Sequence, residues 1–249
     1  MPRKKHFVLL LVLFGLFLSL PSARADYPYA TNSMWADIPP TIDGQLDDIY
    51  LNYGPAIVWY ITPTSPHIAG FNYIYLLNDA ELLYVYIDLL SDNTSETEDM
   101  VLFRLDTDNG EESADTYFYH NREMDLGSTP PGLDFTHAYE FSTSPNGNYN
   151  HVKWEIQLNL SSMAYNPGPG DVIGYLFAIY IPFAPQYYYP SNDYSTLSPS
   201  DESTYNKLRL ASEPEPDFTT IIWCIILSIS VISAIILTYY LTKRNLLFK

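Results

Sequence analysis

Hydrophobic and polar residues alternate along most of this chain, in segments of six to twelve residues separated by turn-forming residues. In HVKWEIQLNL, residues 151–160, apolar side chains occupy the even positions and mostly polar ones the odd positions. Because successive side chains of a β-strand point to opposite faces of the sheet, this period of two predicts a strand with one buried face. We therefore expect Trp154 to lie in a core and Lys153 on an outer face.

Pairs of such segments predict antiparallel hairpins. FNYIYLL and LLYVYIDLL flank the turn NDAE, DMVLFRLD and TYFYH flank TDNGEESAD, and HAYEFS and HVKWEIQLNL flank an Asn-Gly turn in TSPNGNYN. After NPGPGD, VIGYLFAIYIP predicts a further strand. Short strands at this spacing are typical of a sandwich or barrel. The predicted fold class is all-β, an antiparallel β-sandwich of immunoglobulin or jelly-roll type, with one C-terminal transmembrane helix.

Two hydrophobic segments near the ends of the sequence indicate export and a membrane span. Residues 7–20 are apolar, follow a basic start and precede Ala23-Arg24-Ala25, which is typical of a cleaved signal peptide. An uncleaved anchor is the alternative. Residues 218–241 carry no charge and, at about 1.5 Å per residue, are long enough to cross a bilayer as a helix. Basic residues follow directly, which predicts a cytoplasmic tail and an extracellular N-terminal domain.

These boundaries divide the chain into five segments. They are a signal peptide (1–25), a β-sandwich (26–211), an acidic stalk (212–217), a transmembrane helix (218–241) and a cytoplasmic tail (242–249). The predicted location is the cell membrane, with a single pass.

The charge of the predicted ectodomain limits its partners. Residues 26–217 contain five lysines and arginines against all 29 acidic residues of the chain, a net charge of −24. Such a charge repels nucleic acid and anionic lipid and attracts cations. The single cysteine, Cys224, lies in the predicted span. The ectodomain therefore has neither disulfides nor thiol chemistry, and its core must stabilise it.

The start of the predicted sandwich, IDGQLDDIY at residues 42–50, resembles the opening of family 9 carbohydrate-binding modules and related DOMON-type sandwiches. LLNDAELLYVYIDLLSD, EDMVLFRLDTDNG, KWEIQLNL and GDVIGYLFAIY resemble four later motifs in the same order, over residues 38–185. Two departures stand out. Tyr50 or Leu51 replaces a tryptophan of the family, and IQLNLSS replaces the Ile-Pro run after Glu155. The resemblance implies a β-sandwich that binds saccharide, often with structural calcium.

Saccharides stack on exposed aromatic rings while nearby polar groups bind their hydroxyls. The tyrosine-rich sequence offers such rings in IVWYI, on the polar face of ELLYVYIDLL and in PQYYYPSNDY. Cross-strand aromatic pairing or protein–protein contacts are the alternatives for these side chains. The candidate ligand-binding residues are Trp59, Tyr84, Tyr86, Tyr187, Tyr188, Tyr189, Asn192 and Asp193.

For calcium, the turn DTDNGEESAD supplies carboxylate oxygens, which are the ligands that this ion prefers. The candidate ligands are Asp106, Asp108, Glu112 and Asp115. A plain acidic turn is the alternative.

Haem is a less favoured cofactor, since some DOMON relatives bind it through methionine and histidine. Met100, Met124, His120 and His151 are available, and nothing in the sequence selects a pair. The familiar hydrolase, metalloprotease and phosphate-loop motifs are missing from the sequence. We therefore expect a non-catalytic binding module, with a glycan as its partner. The alternative is a structural or adhesion protein that contacts other envelope proteins.

Overall fold

Two β-sheets built mainly from antiparallel strands form the folded part of the chain. The computed structural model describes residues 31–63, 66–108, 133–163, 165–181, 205–214 and 226–232, and the backbone of 116–121 and 186–188. All of them belong to one compact unit, Thr31–Lys249.

The elements follow one another in this order: β1 (Thr31–Asn32), β2 (Met34–Trp35), α1 (Asp48–Tyr53), β3 (Ile57–Ile61), β4 (Gly70–Asn78), β5 (Leu82–Leu89), β6 (Met100–Asp106), β7 (Thr116–Asn121), β8 (Phe135–Ser144), β9 (Gly147–Asn159), a 3₁₀ turn (Leu160–Ser162), β10 (Val172–Ile181), β11 (Gln186–Tyr188) and β12 (Asn206–Arg209).

The first sheet, sheet A, has the order β1-β12-β10-β6-β7, with β11 also paired to β10. The second, sheet B, has the order β2-β4-β5-β9-β8, with β3 also paired to β4. The three predicted hairpins are confirmed as β4–β5, β6–β7 and β8–β9. Among the described strands, the antiparallel prediction fails only for the two-residue strands β1 and β2, which pair in parallel with β12 and β4.

The main core lies between the sheets and confirms the predicted apolar faces. The even-numbered side chains of β9 from Val152 to Leu158, including Trp154, are buried in it together with those of Leu83, Val85, Ile87 and Leu89 on β5. Sheet A contributes Phe103 and Phe177, among others. The predicted all-β sandwich is therefore confirmed.

The outer face of sheet B is also largely buried, which the sequence did not predict. Tyr84 and Tyr86 are fully buried on this face, in a second apolar cluster with Tyr50 of α1. Lys153 and Glu155 of β9 are buried there as well. The prediction that this face is exposed is wrong because the segment that precedes β3 packs over it.

Glu155 attaches this covering segment to the sheet. Its Oε2 accepts hydrogen bonds from the backbone N–H groups of Asp43 and Gly44, both at 3.1 Å, and its Oε1 accepts one from the Tyr50 hydroxyl at 3.1 Å. Gly44 has a φ of 81°, which strains residues with a Cβ atom. The Asp-Gly of the opening motif therefore forms a turn whose N–H groups bind a buried carboxylate.

The N-terminal and C-terminal ends of the sandwich's chain meet beside the last residue of β4. Asn78, the last residue of β4, accepts a hydrogen bond from the Ala211 N–H at 2.7 Å and donates one to the Ala211 carbonyl at 3.0 Å. The hydroxyl of Ser33, between β1 and β2, bonds to Asn78 and accepts from the same N–H group. The chain therefore leaves the sandwich beside the end of β4.

Within the predicted membrane span, only residues 226–232 are described, and they are helical. None of the helices in the described ranges is both long enough and apolar enough to span a membrane.

Candidate functional site

Trp59 is buried and is not the exposed ring that the sequence analysis predicted. Its side chain is 8% exposed and packs edge-on against Phe177 of sheet A, with 6.4 Å between ring centroids. Every residue of IVWYI is apolar, so the sequence does not show which side of β3 faces the core. Trp59 shares its side with Ile61, and the opposite side is exposed.

The second group of predicted aromatic residues also differs from the expectation. Tyr84 and Tyr86 lie under the covering segment, and the Tyr84 hydroxyl donates a hydrogen bond to Asp79 at 2.7 Å. Tyr187 and Tyr188, predicted in a loop, belong to β11 and pair with β10. The remaining candidates, Tyr189, Asn192 and Asp193, lie outside the described residues.

A different set of aromatic side chains is exposed on the outer face of sheet B, at its β3 edge. Tyr60 and Phe71 are directly opposite each other on β3 and β4 and are 55% and 54% exposed. Their ring centroids are 5.1 Å apart, with 73° between the ring planes. Val58 and Tyr73 form the next cross-strand pair on the same side. We call these four residues the aromatic platform.

The turn of the β8–β9 hairpin lies over the same face, beside the aromatic platform. The Asn146 side-chain amide donates hydrogen bonds to Asp88 at 2.8 Å and to the Tyr75 hydroxyl at 2.9 Å. A Cβ atom on Gly147 would lie 3.1 Å from the Leu90 side chain, so a larger residue here would require Leu90 to move. We call residues 144–149 the hairpin tip.

Asp88, fully buried on β5, holds the hairpin tip in place. Its Oδ2 also accepts a hydrogen bond from the Ser144 hydroxyl at 2.7 Å, and its Oδ1 lies 2.5 Å from Nε2 of buried His151. The other ring nitrogen of His151 lies 2.7 Å from the Tyr149 carbonyl oxygen. The carboxylate thus binds three side chains of the hairpin at once.

The hairpin tip presents further polar groups next to the aromatic platform. The Tyr149 hydroxyl donates to the Leu90 carbonyl at 2.9 Å, and Asn148 is exposed. Burial raises the pKa of Tyr149, and the charge of Asp88 and the nearby Tyr73 raise it further. Tyr149 therefore stays an uncharged donor and acceptor at neutral pH. Exposed rings and neutral polar groups lie together here, an arrangement that suits a ligand with both apolar faces and hydroxyl groups.

Strand parity is the sequence signal that could have identified the aromatic platform. In FNYIYLL, Ile74 and Leu76 face the core, so Phe71 and Tyr73 must face outward. Asn72 is buried near the start of β4 and bonds to Ser91, which obscures this alternation.

The predicted calcium ligands are only partly described, and those that are described differ in exposure. Asp106 is buried at the end of β6, whereas Asp108 is exposed. Glu112 and Asp115 lie outside the described residues, so a site in this turn stays a prediction.

A compact acidic cluster lies in the loop between β5 and β6. Carboxylate oxygens of Asp92, Glu96 and Asp99 all lie within 4.8 Å of one another. Burial raises the pKa of Asp92 to about 8, and the charges of Asp99 and Glu96 raise it further. The Thr94 hydroxyl bonds to Glu96 at 2.6 Å. A hard cation such as calcium would relieve the mutual repulsion of these carboxylates.

Calcium should therefore raise the melting temperature of the wild type through this loop. We expect Asp92→Asn to abolish most of the increase and Asp108→Asn to leave it unchanged, as measured by differential scanning fluorimetry with calcium or EDTA. An increase that depends on Asp108 and not on Asp92 would place the ion in the turn after β6 instead. No increase in the wild type would exclude both sites.

The haem candidates are only partly described. Both ring nitrogens of His151 lie within hydrogen-bond distance of partners in the sandwich, Tyr149 and Asp88. Met100 is buried in β6. Only the backbone of His120 is described, and Met124 lies outside the described residues.

No protein-family model matches this sequence, and no curated protein matches it. The structure is similar to a family 9 carbohydrate-binding module from Caldicellulosiruptor kristjanssonii in complex with glucose. The TM-score is 0.50 at 18% identity, over 75% of this chain and 98% of that one. A structure of a family 9 module from the same organism in complex with cellotriose has a TM-score of 0.48 at 17% identity, over 75% of this chain and 95% of that one. The order of motifs in the sequence and the two-sheet architecture agree with the first of these similarities, and the chain has the fold of a family 9 carbohydrate-binding module.

Proposed function

We propose that this protein is an exported, membrane-anchored, non-catalytic module that binds carbohydrate through the aromatic platform. The observation that carries the proposal is the exposed pair Tyr60 and Phe71, on the face of a sandwich with a carbohydrate-binding fold. Calcium, if bound, would have a structural role in the loop between β5 and β6.

Exposing two large aromatic rings to water costs free energy. Exposed aromatic side chains in a well-packed domain often mark an interaction surface, particularly when they are adjacent. The apolar face of a pyranose ring can stack on such a ring, and its equatorial hydroxyls need polar partners at the side. Asn148 and Tyr149 of the hairpin tip offer such partners. The glucose complex of the structure with the same fold supports a saccharide as the ligand class.

Membrane anchoring rests on the uncharged segment 218–241 and on the position where the chain leaves the sandwich. Ala211 is bonded to Asn78 at one end of β4, whereas Phe71 lies near the other end. Phe71 and Asn78 are seven residues apart along β4, which at about 3.3 Å per residue places them about 23 Å apart. In an anchored protein the aromatic platform would therefore lie away from the point of attachment, where it is accessible to an external ligand.

Carbohydrate binding can be tested on the full-length chain in detergent solution by affinity electrophoresis and isothermal titration against a glycan panel. We expect Tyr60→Ala to weaken binding about tenfold, because loss of one stacking contact costs about 1 kcal/mol or slightly more. Tyr165→Ala, which removes a tyrosine that is 62% exposed elsewhere, is the matched control. Binding that is equal in wild type, Tyr60→Ala and Phe71→Ala would contradict the assignment to the aromatic platform.

The anchor has its own test in intact cells. With an epitope tag at the C-terminus, we expect added protease to remove the sandwich and to leave a short tagged fragment in the membrane fraction. A tagged chain that is released with soluble proteins, or one that is fully protected, would contradict the proposed topology.

Adhesion through protein contacts is the second candidate, and the same exposed rings favour it. If no glycan binds, self-association that depends on protein concentration and is lost in Phe71→Ala would support this candidate. Sedimentation velocity measures it directly.

A further inference from the structure

We infer that a groove in the covering segment is a docking site for a basic peptide segment of another protein, one that carries apolar side chains beside its lysines or arginines. The groove is distinct from the aromatic platform, and the inference does not depend on carbohydrate binding. The size of the groove, its apolar lining and its three carboxylates carry it.

The groove has the size of a binding site. Its volume is about 780 Å³, and its lining comes from two stretches of the covering segment, residues 37–41 and 46–53. Protein sites that hold small ligands measure about 300–1,000 Å³, so the groove can accept several side chains of a peptide. None of the four residues of the aromatic platform lines it.

Hydrogen bonds hold the two stretches of the groove in place. Oδ2 of Asp47 accepts one from the backbone N–H of Thr41 at 2.7 Å, which joins one stretch to the other. The turn between the stretches is attached to sheet B, because Asp43 and Gly44 donate to buried Glu155. The groove is therefore preformed, and a partner loses little free energy in ordering it.

Apolar side chains form much of the groove's lining. Ile38 is 74% exposed and Tyr53 is 43% exposed. Leu46 and Ile49 are half-buried, since they pack against the second apolar cluster on sheet B. Exposed apolar side chains that are grouped around a concave surface are typical of interaction sites. The groove therefore favours a partner that inserts apolar side chains.

The charged groups of the groove are all acidic. Asp37, Asp47 and Asp48 line it, and residues 37–53 contain no Lys, Arg or His. None of the three carboxylates forms an ion pair with a residue in the described ranges. Lysine or arginine side chains of a partner would complement this charge, whereas an acidic segment would be repelled. The charge thus selects a basic partner.

A second copy of the chain does not offer such a segment. Between residues 26 and 217 no two cationic residues are adjacent, and the five that occur are Arg104, Arg122, Lys153, Lys207 and Arg209. The other basic residues precede the predicted cleavage site or follow the predicted membrane span. Two domains with a net charge of −24 each also repel one another. The partner is therefore a different protein.

The experiment screens an array of hexapeptides with the full-length chain in a non-ionic detergent. The array holds every order of two arginines, two leucines and two glycines, with companion sets in which glutamate replaces arginine or glycine replaces leucine. We expect peptides of the first set to bind and those of both companion sets to bind weakly or not at all. Fluorescence anisotropy of the best peptide then measures its affinity in solution, with empty micelles as the background.

Asp37→Asn combined with Asp48→Asn should weaken binding of this peptide about tenfold, because one exposed ion pair contributes up to about fivefold. Glu98→Gln combined with Asp134→Asn is the matched control. It removes the same charge from exposed positions outside the groove and should leave the affinity unchanged at physiological ionic strength, where charges beyond about 8 Å are screened. Native circular dichroism of both double variants excludes misfolding.

Several results would overturn the inference. They are an array on which no arginine peptide binds, equal binding of the glutamate peptides, and equal affinity of the best peptide for wild type and the Asp37–Asp48 double variant. Self-association that is lost in this double variant would make a second copy the occupant and also overturn it. All of these outcomes leave the proposed function intact, because carbohydrate binding is tested separately by Tyr60→Ala, outside the groove.

Discussion

Replacing Asp88 with alanine should lower the free energy of unfolding by about 3–5 kcal/mol, because each buried polar group that is left without its partner costs about 1–3 kcal/mol. The substitution removes the only described acceptor of the Ser144 hydroxyl and one contact each of His151 and Asn146. All these groups lie in or beneath the hairpin tip, where water cannot easily replace the lost oxygen atoms. Chemical denaturation monitored by tryptophan fluorescence measures the change.

The same substitution should also affect the proposed site. If the hairpin tip moves away from sheet B, its polar groups no longer lie beside the aromatic platform, and glycan affinity should fall even under conditions in which the variant stays folded. Ser144→Ala is the graded control, since it removes one of the three contacts and should cost about 1 kcal/mol. If Asp88→Ala is no less stable than Ser144→Ala, Asp88 does not have the structural role assigned here.

Strand alternation was sufficient to predict the strands and hairpins of a sandwich or barrel, and the family resemblance favoured the sandwich. The even positions of β9 from Val152 to Leu158 are apolar, and each predicted hairpin has turn residues between two such strands. These signals are local, because a side chain's direction depends only on its position in the strand. The β8–β9 turn is centred one residue earlier than the Asn-Gly pair, on Pro145 and Asn146. Gly147 instead serves the close approach to Leu90.

Burial of the outer face could not be predicted in the same way. Periodicity shows that Tyr84 and Tyr86 share a side with Glu155, but it does not show that a distant segment covers that side. The covering segment contacts β9 across more than a hundred residues of sequence, through the bonds from Asp43 and Gly44 to Glu155. The acidic character of Glu155 favoured an exposed position, and only the donors that surround it explain its burial.

The candidate residues were chosen by the density of aromatic residues and not by the direction in which each side chain points. The aromatic platform was missed for this reason. The run of tyrosines at 187–189 drew attention by its density, whereas Tyr60 and Phe71 are single residues in apolar segments. Their exposure follows from the inward direction of Trp59 and Ile74, and parity alone determines it once one residue of each strand is placed. The acidic cluster at Asp92 was missed because its residues are spread along a loop.

Titration of Glu155 should be visible in the pH dependence of stability. Burial raises the pKa of its carboxyl group to about 7, although the bonds from Gly44, Asp43 and Tyr50 lower it. The folded state therefore holds this proton more tightly than the unfolded chain, whose glutamate titrates near its ordinary value. The stabilisation of the folded state by this tighter proton binding is complete below about pH 4.5 and is lost as the pH rises through about 7. It amounts to about 3 kcal/mol.

Glu155→Gln isolates this contribution, because glutamine can accept the backbone bonds of the opening turn but does not titrate. Relative to the wild type, the glutamine variant should gain stability steadily from pH 5 to pH 8, as measured by urea denaturation at each pH. Tyr50→Phe removes a hydrogen bond that lowers the pKa, so in that variant the loss should be complete only at a higher pH than in the wild type. A stability difference between wild type and Glu155→Gln that is constant over this range would mean that Glu155 is ionised throughout, and that the opening turn binds a permanent carboxylate.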